Sequence, residues 1–218
     1  MFAKRYSDAF ASALNAHSDI VAIVASGYTG KLRCPHIISA NPRLDFIRVL
    51  NRFFAPASSV GVIHPTAIVE DGAEIGRNVQ IGPHCYISTQ SVIGDGTCIH
   101  ANVVIDNCVR IGKQCEIKSG AVIGQSGFGF ERDADGMPLL FPHKGGVVVG
   151  DNVYIGANTC IDRGTLGDTV VASNAKIDNL VHIAHNCHIG EGAFVIAGAS
   201  LGGALAWGAA AGWLPMLQ

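Results

Sequence analysis

The string Asp178-Asn179-Leu180-Val181-His182-Ile183-Ala184-His185-Asn186-Cys187-His188 packs three imidazoles, one carboxylate and two side-chain amides into eleven consecutive residues. An imidazole can accept a proton at neutral pH, ligate a metal or simply face solvent. The apolar residues around it fix its direction. Ile177, Ile183 and Ile189 recur every six residues, with Val181 and Cys187 each two places earlier, so His182, His185 and His188 fall on outward positions. Asp178 and Asn186 stand beside them as groups able to orient a ring. Zinc needs three or four converging ligands, and neither this spacing nor that of the cysteines supplies them, so no metal or other cofactor is expected.

A second candidate segment is Gly124-Gln125-Ser126-Gly127-Phe128-Gly129-Phe130, which opens a polar stretch running through Asp135-Gly136. Glycine combined with two aromatics suits a loop that closes over a ligand, and Phe128 and Phe130 are its candidate substrate contacts.

The element that must carry both segments is a six-residue repeat. Ile63, Val69, Ile75, Ile81, Ile87, Ile93, Ile99, Ile105, Ile111, Ile117 and Ile123 stand six apart, and small residues such as Ala73, Cys85, Ser91 and Ala121 stand two before them. Neither a helix nor an alternating strand has that period; a parallel β-helix does. The fold class is therefore mostly β, a left-handed parallel β-helix preceded by a small α/β domain. Glycine after the stacked residue, as at Gly94 and Gly112, is expected at a strained corner. The ladder is interrupted after Ile123, resumes at Val149, Ile155 and Ile161, breaks briefly, and runs from Val171 to Leu201. Residues 1–55 lack the repeat and read as helix over 9–14, strand over 20–24, and a helix after Asn41-Pro42 with an apolar face. Residues 56–62 form a linker, 63–203 the β-helix, and 204–218 an irregular apolar tail.

Composition narrows the function classes. The 218 residues carry a formal net charge of -2 with no run of Lys and Arg, which argues against nucleic acid. No apolar stretch before the last residues approaches the roughly 20 residues that span a bilayer, and no leader pattern opens the chain, so no integral membrane segment is expected and the cytoplasm is the default. The seven cysteines are odd in number, and Cys85, Cys115 and Cys187 occupy inward positions where a small side chain packs.

Two resemblances bear on these residues. The γ-class carbonic anhydrases have a similar coil and hold zinc between subunits through three histidines, but their ligand spacing is absent here. By contrast, Gly127-Phe128-Gly129-Phe130, Gly145 to Gly150, Ile155-Gly156-Ala157-Asn158-Thr159, Ile161-Asp162-Arg163-Gly164, and Asp178-Asn179 followed by Ile183-Ala184-His185-Asn186 resemble the UDP-3-O-acylglucosamine N-acyltransferases of lipid A biosynthesis. This resemblance implies a cytoplasmic homotrimer with sites between neighbouring coils. It implies transfer of a 3-hydroxyacyl chain from acyl carrier protein to the 2-amine of UDP-3-O-acylglucosamine, with His185 as general base. In that family a small α/β domain binds uracil, and Tyr6 matches its tyrosine, although Ala3 stands where the family has asparagine. The expectation that follows is a chain shortened at both ends of the family pattern, lacking part of the uridine domain, the later coils and the terminal helical region. The alternatives are a coenzyme A-dependent sugar-nucleotide N-acyltransferase and a non-catalytic β-helix fragment.

Overall fold

The computed structural model describes residues 8–54, apart from 18 and 29, and residues 61–208. It divides at residues 58 and 59 into two units. In the first, the helix Asp8–Asn15 precedes two parallel strands, Ala22–Ala25 and His36–Ser39, and the helix Pro42–Phe53 follows. The second helix starts where Asn41 caps it, its side-chain oxygen accepting the Leu44 N–H at 3.1 Å, with Pro42 in the first turn. The expected strand over 20–24 starts two residues later, and the strand His36–Ser39 had no clear sequence signal. The helix's apolar face is not covered: Leu44, Ile47 and Leu50 stay exposed, and the small core is Ala22, Val24 and Cys34. Tyr6 lies outside the described residues.

The second unit is a parallel β-solenoid with three faces, each a parallel sheet of two- to five-residue strands. Successive turns pair in register, as in Gln80↔Cys98 and Ile81↔Ile99, then Glu116↔Cys98 and Ile117↔Ile99. The stacked isoleucines Ile87, Ile105, Ile117, Ile123, Ile155, Ile177 and Ile183 are fully buried, and so are their small partners Val103, Ala121, Ala175 and Cys187. One ladder of branched side chains per face therefore forms a continuous apolar axis.

The corners are built differently from the sequence expectation. Gly94 has no positive φ; a Cβ there would stand 2.6 Å from the backbone of Gly112 in the next turn, so glycine is required by close approach. The left-handed residue comes three places after the stacked one and is often asparagine, as at Asn78, Asn102, Asn158 and Asn186, with φ between 55° and 60°. Asparagine tolerates that region better than most residues. The coil also continues past Gly203, because Ala206–Trp207 pairs with His188–Ile189. Trp207 takes a ladder position that a search for branched residues passes over.

Two insertions break the coil. Residues between Ile123 and Val147 form an antiparallel hairpin, Phe130–Arg132 with Pro138–Leu140, closed by a turn in which Asp133 accepts the N–H groups of Gly136 and Met137. At its base Gly124, φ 94°, makes a bulge, after which Gln125 and Ser126 pair with Asp162 and Arg163. The second insertion follows Arg163 and ends at Thr169. Both breaks fall on the turns that precede His185.

Candidate active site

His185 sits immediately before the left-handed corner residue Asn186, whose φ is 60°. The corner turns the Asn186 side chain back so that its oxygen lies 3.0 Å from His185 Nδ1. The same oxygen accepts the Thr165 N–H at 3.1 Å and the Thr165 hydroxyl at 2.9 Å, and the Asn186 N–H donates to Thr169 Oγ1 at 2.9 Å. The Thr165 N–H can only donate, which identifies the atom as the amide oxygen. Nδ1 of His185 must then carry the proton, which leaves Nε2 with the free lone pair, the form a general base needs. The short insertion thus supplies Thr165 to set the tautomer of a histidine in the following turn.

The hairpin insertion closes the other side. A Cβ added to Gly127 would lie 2.9 Å from His185 Cδ2, 3.2 Å from Asp162 Oδ2 and 3.2 Å from His143 Nε2. Gly127 is therefore the point on which these three side chains converge, and a larger residue there would have to displace them. His143, on the return arm of the hairpin, packs edge-on against His185 with ring centroids 5.0 Å apart. It is only 6% exposed, and both of its ring nitrogens are buried without a hydrogen-bond partner among the described residues. Gly203, one turn beyond His185, lies equally close: a Cβ there would come within 2.9 Å of Nε2, so glycine keeps the basic nitrogen uncovered.

Asp162 is the electrostatic centre of the group. It follows the stacked Ile161 directly and is 9% exposed. Burial pushes its carboxyl above the ordinary carboxylate range, and the nearby imidazoles of His182, His185 and His143 oppose that shift. The His182 Nε2 is 3.8 Å away. Arg163, next in the chain, turns away from this group: its Nε donates to the Gly124 carbonyl at 2.5 Å, and its Nη2 donates to the Asn107 carbonyl at 2.9 Å.

The sequence-based candidates fall in different places. His185 and Asn186 meet in one hydrogen bond. Asp178 stays within its own corner, its carboxylate accepting the backbone and side-chain N–H groups of Asn179 at 2.8 and 3.0 Å. Phe128 and Phe130 stack edge to face at 5.0 Å on the hairpin, and Phe128 is 88% exposed. His182 and His188 project outward from neighbouring sheets. Among the described residues no group of three or more His, Cys, Asp or Glu side chains is placed to hold a metal. The residues that spacing missed are His143, Asp162 and Gly203, each brought to His185 by an insertion or by a full turn of the coil.

Coil and site together direct comparison to one class, the transferases built on hexapeptide-repeat coils. Residues 90–125 match the family described as bacterial transferase hexapeptide (six repeats). The particular resemblance is to UDP-3-O-acylglucosamine N-acyltransferases: 40% identity to the one from Coxiella burnetii strain Dugway 5J108-111 over 71% of this chain and 51% of that protein. The one from Pseudomonas syringae pv. tomato is 41% identical over 74% of this chain and 50% of its own length. The one from Polynucleobacter asymbioticus is 36% identical over 85% and 59%. The chain thus spans about half the length of the curated relatives it matches. Among solved structures, the UDP-N-acetylglucosamine acyltransferase of Bacteroides fragilis superposes with a TM-score of 0.60 at 35% identity, covering 66% of this chain and 55% of that one. The one from Francisella novicida gives 0.57 at 28% identity over 66% and 58%.

Proposed function

We propose that this chain carries the transfer site of an N-acyltransferase that moves a 3-hydroxyacyl group from acyl carrier protein to the 2-amine of UDP-3-O-acylglucosamine. The observation that carries the reading is the hydrogen bond between His185 Nδ1 and the Asn186 side-chain oxygen. With Nδ1–H held by Asn186, Nε2 takes a proton from the amine nitrogen as that nitrogen attacks the thioester carbonyl. The C–N bond forms, the tetrahedral oxyanion collapses, the C–S bond breaks, and the proton on His185 passes to the departing thiolate. The oxyanion calls for a preorganised N–H donor, which a backbone amide of an adjacent coil would supply. Phe128 and Phe130 would contact substrate from the hairpin, and Tyr6 the uracil. The active form would be a cytoplasmic homotrimer in which a neighbouring coil closes each site; light scattering that finds only monomer counts against it. Among the described residues no helix is long and apolar enough to cross a membrane.

Mass-spectrometric detection of N-acylated product tests the reading, with acyl carrier protein and coenzyme A thioesters compared as donors. Product from the carrier protein alone supports it; product from coenzyme A alone favours a related sugar-nucleotide N-acyltransferase. No product from either would leave the coil as a non-catalytic module.

A further inference from the structure

The buried carboxylate of Asp162 has no Lys or Arg partner among its described contacts, only imidazoles. A carboxylate taken out of water costs several kcal/mol unless it is paired, and burial pushes this one above its ordinary range. Close to it, His143 keeps two ring nitrogens buried and without a hydrogen-bond partner among the described residues, a cost unless a partner is supplied. Both groups approach the position a Cβ on Gly127 would take, on the edge of His185 that carries Cδ2, the atom bonded to Nε2. Unpaired anionic and hydrogen-bonding capacity has thus been collected beside a base that removes a proton. An alkylamine reaches such a site largely as its ammonium ion, with one positive charge and three N–H donors.

We propose that the Asp162 carboxylate, packed near the buried His143, is the group that selects an amine over a hydroxyl as the acyl acceptor. The ammonium group pairs with the Asp162 carboxylate. It then loses one proton to solvent, and the neutral amine attacks the thioester carbonyl while Nε2 of His185 takes a second proton from that nitrogen, so Asp162 acts before the chemical step by binding charge. A hydroxyl acceptor carries no charge and one donor, and it would leave the carboxylate unpaired. This assignment rests on the acyl transfer proposed above and names the residue that reads the acceptor. The competing account is that Asp162 serves only as the ion-pair partner of His182.

The test measures binding separately from turnover. Calorimetry on the whole chain compares UDP-3-O-acylglucosamine with its analogue bearing a hydroxyl in place of the 2-amine. Wild type should bind the amine about 10- to 100-fold more tightly. Asp162→Asn, nearly isosteric, should lose that preference and keep its affinity for the hydroxyl analogue within about two-fold, with circular dichroism confirming the fold. His143→Phe should reduce the preference by less, and His182→Gln should leave it unchanged. A preference that survives in Asp162→Asn, or that disappears in His182→Gln, overturns the assignment, as does a wild type with no preference. If wild type prefers the amine through Asp162 yet makes no acylated product, the transfer reading fails and the amine subsite stands. If product forms with no Asp162-dependent preference, the reverse holds.

Discussion

The turns before Ile123 and those after Val147 are built on the same ladder but handle their polar side chains in opposite ways. In the first set, outward groups satisfy one another across adjacent turns. Glu70 accepts from the Tyr86 hydroxyl at 2.6 Å and the Thr89 N–H at 2.8 Å, which hold its carboxyl below the ordinary range, and Arg77 pairs with Asp95 at 2.9 Å. In the second set, two insertions bring in residues from outside the repeat. The outcome is a carboxylate raised by burial, a buried imidazole with no partner, and a histidine locked in one tautomer. The regular turns satisfy their polar groups locally, whereas the interrupted ones leave polar groups unsatisfied beside His185.

Substitutions in the two regions should separate activity from stability. The largest effect belongs to His185→Ala, for which the turnover rate should fall by about two to four orders of magnitude, equivalent to roughly 3–5 kcal/mol. Its melting temperature should change little. His182→Ala, one sheet position away, should cost far less. Equal losses in the two variants, or a rise in KM at constant kcat for His185→Ala, would mean that His185 binds substrate without removing its proton.

In the regular turns the mirror experiment is Ile117→Ala. Ile117 is fully buried between Ile99 and Ile155 in one ladder, and truncation there should destabilise by about 2–5 kcal/mol. The activity of the folded fraction at low temperature should stay near wild type. If kcat falls instead with an unchanged melting temperature, coil and site are not separable in this way.

Next in size is Asn186→Ala, which removes the acceptor that sets the His185 tautomer. A loss of about 10- to 100-fold in kcat is expected, the usual scale for an orienting partner. Asn186→Asp, which keeps an acceptor oxygen facing Nδ1, should recover most of it. Failure of the aspartate to recover activity would mean that the corner conformation matters and the tautomer does not.

How much of this could be read beforehand follows from where the repeat holds. Ile63 to Ile123 announce the solenoid because every turn repeats the same constraint. Trp207 escapes because it meets that constraint with a different side chain. His185 and Asn186 are neighbours in sequence, so their hydrogen bond was within reach of motif reasoning. His143 and Asp162 were not, because each insertion resets the phase of the repeat and spacing no longer reports who faces whom. The traces they left are indirect: Gly127 and Gly129, which mark a close approach, and a carboxylate directly after the stacked Ile161. Asp178 shows the converse error, a carboxylate near the histidines in sequence whose hydrogen bonds stay within its own corner.

The smallest expected effect has the opposite sign from the others. Burial raises the Asp162 carboxyl in the folded chain, so the folded state holds that proton more tightly than the unfolded state does. Stability from this group is therefore lost as pH rises from the ordinary carboxylate value, about 3.9, through the raised folded value, and the full penalty applies above it. The imidazoles of His182, His185 and His143 reduce the penalty without reversing the direction of the shift. Asp162→Asn removes the charge at nearly constant shape, so it should stabilise the chain by about 1 kcal/mol at neutral pH. The gain should shrink as pH falls and vanish below about 3.9, where both states carry a protonated carboxyl. Thermal melts of wild type and variant across that range measure it directly. If the variant is less stable at neutral pH, the carboxylate is well paired in the folded chain and the second set of turns is as locally satisfied as the first.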